Sequence, residues 1–133
     1  MTALAQERRE PWLADYGGLV SSEWAMPKIW QLVLEAPEVL RETDRIVEAG
    51  DWLVTRLTGV RGLSSCSAGY KYFMNPDGGP DRTYYEALDP ALAAALDRVL
   101  PKKRLTSGGF AGRLTPEAAA RLGLRPGVPV AGG

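Results

Sequence analysis

Lys71 stands between Tyr70 and Tyr72, just after the polar run Ser64 to Ser67, and its ammonium could aim three N–H donors at a substrate hydroxyl or carbonyl. The same setting equally suits a surface lysine whose stem lies along apolar neighbours. The carboxylates Glu23, Glu35, Glu38, Asp44, Glu48, Asp51, Glu86 and Asp89 stand mostly where caps or polar helix faces belong, and no pair has the spacing that demands acid and base roles. The cluster Gly108-Gly109-Phe110-Ala111-Gly112 invites a phosphate-loop reading, but no Lys-Ser or Lys-Thr follows and the dinucleotide spacing is absent, so it reads as a hinge. With no histidine, Ser-His-Asp and Cys-His catalysis are excluded within the chain. One cysteine, Cys66, excludes an internal disulfide framework and a thiolate metal cluster. Trp12, Trp24, Trp30 and Trp52 read as core or interface anchors.

Charge narrows the partners. Lysine plus arginine and aspartate plus glutamate both count 16, so the net charge is zero and no long-range field draws the 133-residue chain to nucleic acid or an anionic membrane. The opening MTALAQERRE is charged where a secretory leader would turn apolar, and no apolar run approaches the roughly 20 residues that span a bilayer. The expectation is a soluble, cytoplasmic protein. At 45% apolar the chain can bury a core, and its 15 glycines and 10 prolines announce many short elements joined by turns.

These residues must be held by such elements. A polar helix over residues 3 to 14 ends at Gly17-Gly18. Pro27 opens a helix to Pro37 whose face, with Ile29, Trp30 and Val33, calls for a sheet to cover, and Pro37 opens a short helix ending near Thr43. Ile46 and Val47 suggest a brief strand. Asp51 is placed to cap a helix that Gly59 stops, and Ser64 to Ser67 reads as loop before a helical turn or two over Ala68 to Met74. Asn75-Pro76-Asp77-Gly78-Gly79 breaks the chain. Helices follow over Arg82 to Leu88 and Pro90 to Leu100, with Asp89 as the cap between them. Thr115 and Pro116 then open a helix stopped by Gly123, and Val128 to Ala131 reads as a buried strand, beyond whose end, at Gly132-Gly133, an open α/β sheet would bind a ligand. The fold class expected is α/β and helix-rich.

Several stretches carry more than local structure. YGGLVSSEWAMPKIWQLVLEAPEVL (Tyr16 to Leu40), DWLVTRLTG (Asp51 to Gly59), SSCSAGYKYF (Ser64 to Phe73), YYEALDP (Tyr84 to Pro90) and AGRLTPEAAARLGLRPGVPV (Ala111 to Val130) resemble the FGGY carbohydrate kinases. The match is in order and spacing over nearly the whole chain. SSEW followed by Pro-Lys, and Cys-x-Ala-Gly-Tyr-Lys, resemble the ribulokinase branch more narrowly than the helix-plus-LTG pattern that sugar kinases share.

The resemblance implies a partial ribonuclease H-like domain of the actin and sugar-kinase class. Residues 1–133 would be the later part of the N-terminal domain, truncated at both ends, with Met1 aligning to an internal position. The family's Asp-x-Gly-Thr phosphate loop and second domain have no counterpart here, and the Asp that serves as base is expected just after Gly133. The implied activity is transfer of the γ-phosphoryl of ATP, with Mg2+, to a ketopentose such as L-ribulose, in the full-length enzyme. No ATP or Mg2+ is expected on this chain alone, which is expected to be inactive and to self-associate through apolar surface left bare. By the same resemblance Lys71 and Glu23 are substrate-binding residues, and no catalytic or metal-binding residue falls in the chain. The alternatives are a fragment of a kinase for another sugar, such as xylulose or glycerol, and a non-catalytic helical module that binds a partner. SSEW and Gly-Tyr-Lys disfavour the other sugars.

Overall fold

The computed structural model describes residues 1–75 and 78–133; Pro76 and Asp77, in the expected break, lie outside the described residues. The chain divides into two units, each assembled from two stretches of sequence: Met1–Arg45 with Gly69–Val99, and Ile46–Ala68 with Leu100–Gly133.

In the first unit the expected helix over residues 3 to 14 is two pieces, α1 (Thr2–Glu7) and a 3-10 helix (Pro11–Tyr16). Arg9 takes a positive φ of 54° between them, and Pro11 lacks the N–H that a continuous helix would use. Gly17 then closes the 3-10 helix in the left-handed region, as a residue without Cβ does most cheaply. Helix α2 (Ala25–Glu35) buries Ala25, Met26 and Ile29. It packs on α3 (Pro37–Glu42) and α7 (Pro90–Val99), and of the face expected to lack its sheet Ile29 is buried while Trp30 and Val33 are half-buried. Arg98 of α7 donates to the carbonyls of Leu40, which also accepts the Thr43 N–H, and of Thr43, tying down the end of α3. Helix α6 (Arg82–Leu88) starts at Asp81, whose carboxylate accepts the Tyr84 N–H at 2.9 Å, and Asp89 accepts the Ala91 N–H at 2.8 Å to start α7. Leu92, Ala93, Leu96 and Val99 give α7 a buried stripe at helical spacing.

In the second unit Asp51 is not the cap of its helix. That helix, α4 (Ala49–Thr58), starts from Glu48, and Asp51 lies in the first turn with its side chain turned inward. Among the described residues Ile46 and Val47 form no strand, contrary to expectation. Ser64 and its neighbours are ordered, not loop: β1 (Leu63–Ser64) pairs in parallel with β2 (Arg104–Leu105), and α5 (Ser65–Tyr72) follows at once. The glycine cluster is a turn at Gly108, φ 69°, leading into β3 (Phe110–Arg113). Gly112 has to lack a side chain, because a Cβ there would sit 2.8 Å from the Thr58 Cβ. Strand β3 pairs antiparallel with β4 (Pro129–Ala131), which is mostly exposed where a buried strand was expected. Between them α8 (Pro116–Leu122) has the expected Thr115 cap, Pro116 and left-handed Gly123, and packs Ala118 and Ala119 with Leu114, Leu57 and Val130. Among the described residues the strands make two separate two-stranded sheets, so the chain is helix-rich α/β without one continuous sheet. None of the described helices is long and apolar enough to cross a membrane.

Candidate functional site

Lys71 occupies the last turn of α5, where a cation favours the negative end of the helix, and it is half-buried. Glu23 lies in the turn before α2, exposed, with its carboxylate 3.0 Å from the Lys28 ammonium. Its backbone N–H donates to the Ser21 hydroxyl. Helix capping does not explain Glu23, since α2 starts from Trp24 without any side-chain cap.

What brings the two neighbourhoods together is a set of rings in the first unit. Trp24, beside Glu23, meets the ring of Tyr70, beside Lys71, with centroids 6.0 Å apart, and meets Phe73 at 5.5 Å. Tyr16 stands edge-on to both Trp24 and Phe73, at 5.4 and 5.1 Å. Its hydroxyl donates to the carbonyl of Gly69, so the 3-10 helix holds α5 two residues before the lysine. Trp12 continues the cluster to Phe73 and Tyr84, each at 5.3 Å. Phe73 keeps a positive φ of 56° at its centre, a conformation that buried packing has to enforce on a residue with a Cβ. Burial, reinforced by Asp15, raises the Tyr16 hydroxyl above its ordinary value against the pull of Asn75, so it remains a donor through neutral pH. Tyr84 is pushed up to about 12 by burial and by Glu10. These rings pack the turn of Glu23 against the helix of Lys71. The sequence signal was the density of aromatics on either side of Glu23 and Lys71; reading the tryptophans as anchors holds for Trp12, whereas Trp52 is 55% exposed.

Other sequence candidates are used up in structure. Gly108 donates its N–H to Gly132 and Gly109 to Thr106, both at 2.9 Å, so the glycine cluster has spent amides a phosphate would need. Gly132, where a ligand could lie past a strand end, donates to Gly109 at 2.8 Å, and a Cβ on it would meet the Thr106 carbonyl oxygen at 2.6 Å. Among the described residues no three of His, Cys, Asp and Glu converge to hold a metal.

Among the described residues Asp51 is the buried carboxylate, 3% exposed. Its Oδ1 accepts the Ser64 N–H at 3.0 Å, while Oδ2 has no hydrogen-bond partner among the described residues. Burial raises its pKa, with Glu48 adding to the effect and the Ser64 N–H and hydroxyl opposing it. This is a structural clamp on β1.

Comparison with known proteins decides the lineage. The chain is 47% identical over 131 residues to a ribulokinase of Shouchella clausii, 98% of this chain and 23% of that one. It is 42% identical over 134 residues to a ribulokinase of Geobacillus thermodenitrificans, covering 100% and 24%, and 42% identical over 135 residues to one of Mycolicibacterium smegmatis. The chain is homologous to one segment of the ribulokinases. It spans about a quarter of the length of these relatives. No family model matches it. A xylulose kinase from Rhodospirillum rubrum shares the fold of this ribulokinase-like segment, with a TM-score of 0.69 over 85% of this chain and 22% of that one, at 24% identity.

Proposed function

We propose that this chain is the sugar-facing part of an ATP-dependent kinase that phosphorylates a ketopentose such as L-ribulose, in a domain of the ribonuclease H-like class. The observation that carries the reading is identity of 47% and 42% to ribulokinases over essentially the whole chain. In this reading Lys71 donates hydrogen bonds to sugar oxygens and Glu23 faces the substrate from the adjoining turn, both held by the Tyr16–Trp24–Tyr70–Phe73 rings. The carboxylate base and the groups facing ATP belong to parts of the enzyme whose residues this chain does not carry. Catalysis of this class rests on positioning and charge stabilisation, so the chain by itself has no turnover.

The test is a full-length ribulokinase in which these 133 residues replace its own segment, assayed with ATP against L-ribulose, xylulose and glycerol. Preferred transfer to L-ribulose supports the reading. A folded hybrid that prefers another sugar assigns the segment to that kinase, and ATP-dependent turnover by the 133-residue chain itself defeats the reading of it as a part.

A further inference from the structure

The segment that bears Lys71 is tied on both sides of the lysine to two consecutive residues of the 3-10 helix. Before it, the Tyr16 hydroxyl donates to the Gly69 carbonyl in the last turn of α5. After it, the side-chain amide of Asn75 donates to Asp15 Oδ2 at 3.2 Å. The oxygen end of that amide lies over Gly69, where a Cβ would stand 2.9 Å from Asn75 Oδ1. Gly69 thus leaves the space through which Asn75 reaches Asp15. Between the two ties the chain leaves α5 and turns at Phe73, whose φ is 56°.

We propose that Tyr16, assisted by Asp15, is a positioning residue for phosphorylation of the sugar and acts through Lys71, by fixing the backbone from which the lysine reaches the sugar oxygens. This rests on the reading of Lys71 as a substrate-binding residue. A lysine carries its charge on a long flexible stem, so a donor aimed at one oxygen depends on where its Cα is held. A misplacement of about 1 Å can cost on the order of 100-fold in rate. The hydroxyl is the part of Tyr16 that supplies the tie, since the ring meets Trp24 and Phe73 through its carbon edge and faces.

Steady-state kinetics of a full-length ribulokinase carrying this segment, with ATP and L-ribulose, test this. Tyr16→Phe keeps the ring and removes the hydroxyl, and should lower kcat/KM for the sugar roughly tenfold with the KM for ATP unchanged. Gly69→Ala should lower it too, by displacing the Asn75 amide, yet melt no lower than the wild type. Alanine favours a helix, and only the end of a flexible side chain has to give way. In a Lys71→Met background each change should cost less than about twofold, because the lysine it positions is gone. Tyr16→Phe with wild-type kinetics, where Lys71→Met is impaired, overturns this proposal alone. Losses that persist undiminished in the Lys71→Met background overturn it as well, and Lys71→Met with wild-type kinetics removes the reading on which it rests.

Discussion

The indole of Trp24 meets the ring of Tyr70 at an interplanar angle of 61°, which fastens the turn holding Glu23 to the helix holding Lys71. Edge-on contacts of this kind contribute about 0.5–1.5 kcal/mol each beyond their buried area, and Trp24 makes three, with Tyr16, Tyr70 and Phe73. The relative placement of Glu23 and Lys71 thus depends on these rings.

Lys71→Met should lower kcat/KM for L-ribulose by roughly 10- to 100-fold in a full-length enzyme carrying this segment, the worth of a charged hydrogen bond in the transition state. The methionine keeps much of the stem's packing while removing the charge and the N–H donors. Steady-state kinetics at matched thermal stability check it. Unchanged kcat and KM would return Lys71 to an ordinary surface role.

Asp51 gives a pH dependence with a definite sign. Its carboxyl is raised by burial, so the folded state holds the proton more tightly than the unfolded chain does. The stabilisation is complete below the ordinary aspartate value of 3.8 and is lost as pH rises through the raised folded value. Asp51→Asn, whose amide oxygen can still accept the Ser64 N–H, should therefore gain on the wild type as pH climbs out of the acid range and then level off. Asp51→Ala should cost about 1–3 kcal/mol by stranding that N–H. Urea unfolding of the three proteins at a series of pH values reads both effects; parallel curves for wild type and Asn would contradict the first.

Two glycines should fail for different reasons. Gly112→Ala drives a Cβ into Thr58 and Val60 and should cost about 1–3 kcal/mol by overpacking. Gly123→Ala meets nothing within 4 Å, but its φ of 66° is strained for any side chain, so about 1–2 kcal/mol is expected from the backbone alone. Removing the crowded Val60 methyl with its twin, as in Val60→Ala, should offset part of the loss in the first variant and none in the second, measured by denaturant midpoints.

Arg98→Met should loosen α3, because the carbonyls of Leu40 and Thr43 lose their guanidinium donor. A loss of roughly 1.5–3 kcal/mol is expected for hydrogen bonds to a charged group. Amide exchange should rise first in Pro37–Glu42, and equal protection there in both proteins would refute the assignment.

Elements whose signals are local were legible in the sequence. Thr115, Pro116 and Gly123 bracket α8 at the residues expected, and Pro37 and Gly59 mark helix boundaries as read. What escaped depends on partners distant in sequence. Ser64 looks like loop until Asp51 and Leu105 supply its pairing, and Asp51 looks like a cap until its buried side chain is seen holding β1. The break at Arg9 carries no glycine to announce it. For the site, Lys71 and Glu23 came from the likeness of Gly-Tyr-Lys and Ser-Ser-Glu-Trp to a family pattern, since neither spacing nor charge separates them from surface residues. The rings that hold them were visible only as composition.

The parallel pairing of Leu63 with Arg104 also sets an order of events during synthesis. A chain leaving the ribosome presents Ile46–Ala68 well before Leu100, while all residues of the other unit are present once Val99 is made. Leu63, fully buried in the finished protein, then waits with its strand edge open until Lys103 arrives to accept its N–H. Slow translation through the stretch after Val99 would lengthen the interval in which that edge can pair wrongly, so codon usage just downstream of Val99 bears on how much of this chain reaches its folded state.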